Sequence, residues 1–154
     1  MGTTFIKKCN GATAVEFALV LPVFLTLIFG IIDFGRYFFV QHSIQYATSE
    51  GTRLALVGKT ISGLDRTASI IKKIEDCAAS AVDPLKLSIR IFPVADDYSD
   101  PEDWADSQNS GNPGDIMRIR TTYVYQFLTP LIGAFFPEDG INVQAETTYK
   151  NELF

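Results

Sequence analysis

Few residues in this chain could do chemistry, and a carboxylate at the edge of an apolar run is the most prominent of them. Glu16 directly precedes residues 17–32, which contain no charged side chain. A carboxylate inside a membrane costs about 2.5–3.5 kcal/mol even on a lenient insertion scale, so it requires a partner or access to water. Two interpretations follow: Glu16 lies near the interface and reaches water, or it pairs with a cationic group.

Catalysis is not indicated. His42 is the single histidine, and it lies beside the end of the apolar run. The sequence shows no set of nucleophile, base and orienting group that includes it. Cys9 and Cys77 are the only cysteines, and one His with two Cys is too few for a His/Cys zinc site. A glycine-rich phosphate loop is also missing. We therefore predict a protein that is not an enzyme and binds no metal or cofactor.

Residues 95–113 form a long polar segment with six carboxylates, which are Asp96, Asp97, Asp100, Glu102, Asp103 and Asp106. Oxygen-rich loops can bind Ca²⁺, but the EF-hand spacing fails because Tyr98 and Trp104 occupy would-be ligand positions. Three interpretations stay open: a solvated surface loop, a loop that contacts a partner subunit around Trp104, and a cation site.

Composition limits the class of protein. The chain has 154 residues, of which 47% are hydrophobic and 20% charged, as expected for a single globular domain. Its net charge is −5, with no basic cluster. Because nucleic-acid binding depends on basic side chains that neutralise phosphates, we predict no nucleic-acid partner.

The apolar run predicts a membrane helix. Residues 17–32 cover only about 24 Å, whereas residues 12–32 cover about 31 Å and span the hydrocarbon core. Lys7 and Lys8 precede the run, and the next basic residue is Arg36. The positive-inside rule then places the N-terminus in the cytoplasm and the rest of the chain outside. We assign the transmembrane helix to residues 12–40, with Tyr37, Phe38 and Phe39 as an interfacial aromatic belt.

Ordinary signals fit this segment poorly. A secretory signal needs small residues at a cleavage site just after the apolar run, but Asp33-Phe34-Gly35-Arg36 stands there. A lipoprotein signal would place its cysteine after the run, whereas Cys9 comes before it. A short basic leader, residues 1–11, followed by Ala12-Thr13-Ala14-Val15-Glu16-Phe17 and the apolar helix, resembles the prepilin class of signals instead.

This resemblance implies a processing site and a role for the carboxylate. Cleavage would fall between Gly11 and Ala12, which makes Glu16 the fifth and Phe17 the sixth mature residue. The new α-amine of Ala12, in the same chain or a neighbouring subunit, would then pair with Glu16 and set the register of assembly.

The similarity extends to one family. GATAVEFALVLPVFLTLIFGIIDFGRYF resembles the start of TadE-like proteins, the minor pseudopilins of the tight-adherence (Tad/Flp) pilus system, although TadF and TadG relatives share this motif. Glu50-Gly51-Thr52-Arg53-Leu54-Ala55 looks like that family's EG-x-R-x-A element. The resemblance covers residues 11–57 and, weakly, 113–150. It marks Glu50 and Arg53, which are spaced to form an ion pair, as a possible contact with the sheet or a neighbouring subunit.

Periodicity predicts the remaining elements. We expect one helix over residues 12–55, transmembrane and then amphipathic, and a second over residues 64–81, with Ser62 as its N-cap and a buried free thiol at Cys77. Strands are expected over residues 86–92, 116–127 and 141–149. The predicted fold class is α+β, a pilin-like small antiparallel sheet packed against helices. Asp33 and Arg36 are expected to pair, and residues 129–137 to cover the core or contact a subunit.

These inferences lead to a function. The resemblance implies a minor pseudopilin inserted in the bacterial inner membrane, with residues 41–154 as a periplasmic or extracellular head. Its partners would be the membrane, a prepilin peptidase, other pilins or pseudopilins and Tad assembly platform proteins. The protein would take part in pilus assembly or adhesion, in the membrane or in the pilus. The alternative is an uncleaved single-pass anchor whose head binds partner proteins of a secretion system.

Overall fold

A long helix and a three-stranded sheet dominate the structure, a computed structural model that describes residues 10–137 and 139–152. Helix α1 covers Asn10–Leu56 as one uninterrupted element of 47 residues, which corresponds to about 70 Å. Its first half is exposed, whereas its second half buries Val40, Ile44, Ala47 and Ala55 in the head. The predicted single helix is therefore confirmed, with its two halves in different surroundings.

Helix α2, Arg66–Ala78, packs against the second half of α1. Its N-cap is Asp65, whose Oδ1 accepts a hydrogen bond of 2.8 Å from the N–H of Ala68. The prediction of Ser62 as the cap is therefore wrong, and the helix is shorter than residues 64–81. It buries Ile70, Ile74 and Ala78. Cys77 is a free thiol and lies half-buried at the edge of the same core.

Three strands form one antiparallel sheet in the order β1-β2-β3. Strand β1 is Leu87–Pro93, β2 is Ile116–Tyr125 and β3 is Ile141–Lys150. The central strand pairs Ile119 with Ile91 on one side and with Thr147 on the other. The predicted strands and their antiparallel pairing are confirmed, but β2 ends two residues earlier than expected, at Tyr125, which pairs with Ile141, the first residue of β3.

The core lies between one face of the sheet and the two long helices. Side chains that alternate along the strands meet α1 and α2, and the buried ones are Ile89, Ile91, Met117, Ile119, Tyr125, Val143, Ala145 and Tyr149. A buried hydrogen bond of 2.9 Å from Thr48 Oγ1 to Thr121 Oγ1 connects α1 to the middle of β2. This arrangement confirms the α+β class, with helices on one face of an antiparallel sheet.

Candidate functional site

The predicted processing and assembly residues lie at the exposed start of α1. Gly11 and Ala12 belong to its first turn, and every residue from 11 to 20 is exposed, including Glu16 and Phe17. By length and composition α1 could cross a membrane, and none of its most apolar window is buried by the head. The predicted leader, with Lys7, Lys8 and Cys9, lies largely outside the described residues.

The Glu50–Arg53 element lies where α1 meets α2. Arg53 Nη1 donates a hydrogen bond of 2.9 Å to Glu50 Oε1, which confirms the expected ion pair, and Lys73 Nζ of α2 lies 3.9 Å from Glu50 Oε2. Because Arg53 is largely exposed and Lys73 is partly exposed, these pairs contribute at most about 1 kcal/mol. Glu50 thus contacts the second helix of its own chain, whereas Arg53 is exposed.

Gly51 has a packing role that the sequence analysis missed. A Cβ placed on Gly51 would lie 2.4 Å from Cγ1 and 2.8 Å from Cδ1 of Ile74, far inside van der Waals contact. The absence of a side chain therefore lets α2 approach α1 closely at this point. A glycine inside a predicted amphipathic helix, followed four residues later by the small residue Ala55, was the available sequence signal.

Asp33 is a buried carboxylate directly after the C-terminal end of the apolar run. Its side chain is completely buried, and it accepts hydrogen bonds from the backbone N–H groups of Leu128 and Thr129, both at 3.1 Å, and from the Thr129 hydroxyl. The Tyr125 hydroxyl donates to the Asp33 carbonyl at 3.2 Å. The predicted ion pair with Arg36 is wrong, because the Asp33 carboxylate instead accepts hydrogen bonds from the segment that follows β2.

An aromatic cluster surrounds this junction. Phe127 stacks on Phe136 with ring centroids 4.3 Å apart, and Phe34 meets both rings edge-on. Tyr37 packs edge-on against Tyr125 at 5.5 Å. Tyr37 is therefore partly buried against the core, whereas Phe38 and Phe39 are exposed on α1.

The segment after β2 folds back along α1. We call residues 128–136 the foot; they include the one-turn helix α3, Pro130–Gly133. Ile132 is buried, and its Cδ1 would lie 3.8 Å from a Cβ on Gly30. Leu128, Leu131 and Phe135 point outward and are exposed. The expectation that residues 129–137 cover the core is correct only for the inward side of the foot.

The outer face of the sheet carries a charged cluster that the sequence analysis did not identify. Asp100 forms ion pairs with Arg120 at 2.7 Å and with Arg118, and Arg120 also pairs with Glu146. Burial alone raises the pKa of Asp100, but hydrogen bonds and charge from Arg120 and Arg118 outweigh this effect and hold the pKa below its ordinary value. The alternating arginines of β2 were the sequence signal for a charged outer face.

Trp104 lies within this cluster. The guanidinium carbon of Arg120 is 4.1 Å from the centroid of the Trp104 ring, and the ring also packs against Phe92 at 5.7 Å. Residues 95–113 are thus held against the sheet at Asp100 and Trp104 instead of projecting freely. Among the residues that the structure describes, no group of three or more His, Cys, Asp or Glu could hold a metal ion.

Comparison with known proteins identifies the N-terminal region. The family model of TadE-like proteins matches residues 11–53. The match begins at the predicted processing glycine and ends at Arg53, so it confirms the predicted resemblance over these residues and does not extend to the sheet. No curated protein and no solved structure matches the chain.

Proposed function

Because residues 11–53 match the model of TadE-like proteins, we propose that this chain is a minor pseudopilin of the Tad/Flp pilus system. It inserts in the bacterial inner membrane through residues 12–40, with the N-terminus in the cytoplasm. A prepilin peptidase removes the leader after Gly11. The processed chain then enters pilus assembly, with its head on the outer side of the membrane.

The observation that carries this proposal is the unpartnered apolar half of α1. Every residue from 11 to 20 is exposed, and Glu16 is the single carboxylate between Gly11 and Asp33. A helix that is apolar on all sides, and whose most apolar window is not buried by any described residue of its own chain, requires lipid or other helices around it. A membrane and then a pilus bundle are the two surroundings that a pseudopilin helix meets in turn.

Cleavage would give Glu16 its partner. Before cleavage, Ala12 contributes a neutral amide N–H; afterwards it carries a positive α-amine. Residues 12 and 16 lie one helical turn apart on the same face, so this amine can pair with Glu16 within the chain. A neighbouring subunit's amine can replace it during assembly, since an unpaired carboxylate in the membrane is disfavoured by about 2.5–3.5 kcal/mol.

The first test is the intact mass of the full chain, expressed with and without the matching prepilin peptidase. We expect a loss of roughly 1.2 kDa with the peptidase and Ala12 as the new N-terminus. An unchanged mass, with a control pilin cleaved in the same cells, would favour the uncleaved single-pass anchor. A cut beyond Ile32 would contradict both proposals.

A substitution then separates processing from assembly. Glu16→Gln keeps the shape of the side chain and removes its charge, so the chain should still be cleaved but should fail to support pilus assembly. Glu102→Gln, an exposed carboxylate of the polar loop, is the matched control and should assemble normally. Normal pilus assembly with Glu16→Gln would leave the carboxylate without the proposed role and support the anchor instead.

A further inference from the structure

The foot lies beside α1 at the outer end of the proposed membrane span. Ile132 lies beside Gly30 of α1, and the Asp33 carboxylate accepts hydrogen bonds from the backbone N–H groups of Leu128 and Thr129. Gly30 is two residues, or about 3 Å, below the last residue of the apolar run, whereas Arg36 is about 6 Å above it. The foot is therefore at the depth where hydrocarbon gives way to lipid headgroups.

The outward side of the foot is apolar. Leu128 is 62% exposed, Leu131 47% and Phe135 77%. Residues 128–137 contain no charged side chain. Ile31 of α1, next to Gly30 in the sequence, is itself 74% exposed. Exposed apolar surface that is contiguous with a membrane helix favours lipid over water as its surroundings.

Hydrogen bonding within the foot also suits a lipid environment. The N–H groups of Leu128 and Thr129 donate to Asp33, and those at positions 133–136 donate to carbonyl groups of residues 129–133. Pro130 has no N–H group to satisfy. Because lipid offers no hydrogen-bond partners, backbone at this depth must find its partners within the protein. Most of the donors in the foot have done so.

Basic residues lie just above the foot. A groove of about 560 Å³ borders Leu128 and is lined by Arg36 and Lys86 among others. Both side chains are exposed. Positive charge one helical turn above the hydrocarbon boundary complements lipid phosphates. Apolar side chains below and basic side chains above match the order of layers in a membrane leaflet.

We infer that the foot inserts into the outer leaflet of the membrane that α1 crosses. Leu131 and Phe135 contact acyl chains, and Arg36 and Lys86 face the headgroup phosphates. The head is then fixed against the membrane surface at two places, α1 and the foot, before the chain leaves the bilayer. This inference rests on the proposed insertion of α1.

Quenching by brominated phospholipids tests the inference on the full chain in phosphatidylethanolamine–phosphatidylglycerol vesicles. Trp104 is the single tryptophan, so Trp104→Phe gives a background for Phe135→Trp and, separately, Phe24→Trp. We expect bromine near the headgroup to quench Phe135→Trp most strongly and bromine deep in the acyl chain to quench Phe24→Trp. Native Trp104, on the outer face of the sheet, should be quenched by neither.

The outcomes separate the foot from the membrane span. Quenching of Phe24→Trp without quenching of Phe135→Trp would overturn the inference while the span stands, and a concentration-dependent blue shift of Phe135→Trp would then identify a second copy on the foot. No quenching of Phe24→Trp would mean that the proposed insertion itself is wrong.

A second probe covers the case in which the Trp104→Phe background fails to fold. A nitroxide on Phe135→Cys, in a Cys9→Ser and Cys77→Ala background, should be more accessible to oxygen than to a water-soluble nickel complex. The opposite order would overturn the inference.

Discussion

Asp33 joins the apolar helix to the head through one side chain. Its carboxylate accepts three hydrogen bonds from Leu128 and Thr129 in a fully buried position. Buried hydrogen bonds to a carboxylate are stronger than neutral ones, and leaving their donors unpaired carries a desolvation cost. The contact therefore fixes the foot to α1 and helps to hold Phe127 and Phe136 against Phe34.

The residue-scale prediction concerns Asp33→Asn. The amide keeps the shape of the side chain but replaces one acceptor by an NH₂ donor, which faces N–H groups that are already donors. We expect the free energy of unfolding to fall by about 1.5–3 kcal/mol. Trp104 fluorescence during denaturation in detergent micelles would measure it. Asp96→Asn, an exposed carboxylate, is the control; equal effects of both variants would show that Asp33 does not anchor the foot.

At the scale of elements, periodicity in the sequence predicts which helices and strands form but not which of them pack against one another. The alternation along β2 correctly places Met117, Ile119 and Thr121 on the core face. The same alternation continues to Phe127, yet the strand ends at Tyr125, because Leu128 and Thr129 donate to Asp33. The contact from Asp33 to Thr129 joins residues 96 apart, and a single sequence holds no record of such a pairing.

The start of α2 shows a second limit. Ser62 and Asp65 are both good N-cap residues, so propensity cannot choose between them. The structure uses Asp65, and the N–H of Ile61 is held by the hydroxyl of Ser69 at 2.9 Å. That bond keeps the preceding segment outside the helix. The choice thus depends on packing between residues that local pattern does not connect.

Close approach of α1 and α2 gives the element-scale prediction. Gly51→Ala adds a Cβ that would overlap Ile74, so we expect a loss of about 1–3 kcal/mol in the free energy of unfolding. Gly35→Ala is the matched control on the same helix, because no atom lies within 4 Å of its Cβ position. There the better helix propensity of alanine should be neutral or stabilise by up to about 1 kcal/mol. Thermal unfolding of both variants would measure these changes, and similar effects at the two glycines would contradict the packing role.

The whole molecule consists of the exposed apolar half of α1 and a head whose sheet is covered on one face and partly covered on the other. Helices cover one face, and residues 95–113 cover part of the other through Asp100 and Trp104. Of the six carboxylates in that segment, Asp100 is the one paired with the arginines of β2. The others leave an acidic surface on the side of the head that faces away from α1 and α2. Such a surface repels acidic partners and favours basic ones.

We expect acid to release residues 95–113 from the outer face of the sheet. Because ion pairs with Arg118 and Arg120 hold the pKa of Asp100 below its ordinary value, the unfolded chain binds its proton at a higher pH than the folded chain does. The contribution of Asp100 to stability is therefore complete above its unfolded pKa and is lost as pH falls through its folded pKa. We expect stability to decrease below about pH 4, together with a change in Trp104 fluorescence as the indole leaves Arg120.

Two variants assign that transition to one carboxylate. Asp100→Asn removes the titrating group, so the chain should be less stable at neutral pH and should lose part of its stability change below about pH 4. Asp103→Asn, an exposed neighbour in the same loop, should keep the acid transition of the original chain. Denaturant titrations at a series of pH values would measure both. If Asp100→Asn kept the full acid transition, the loop would be held by the stacking of Trp104 on Arg120 and Phe92 rather than by charge.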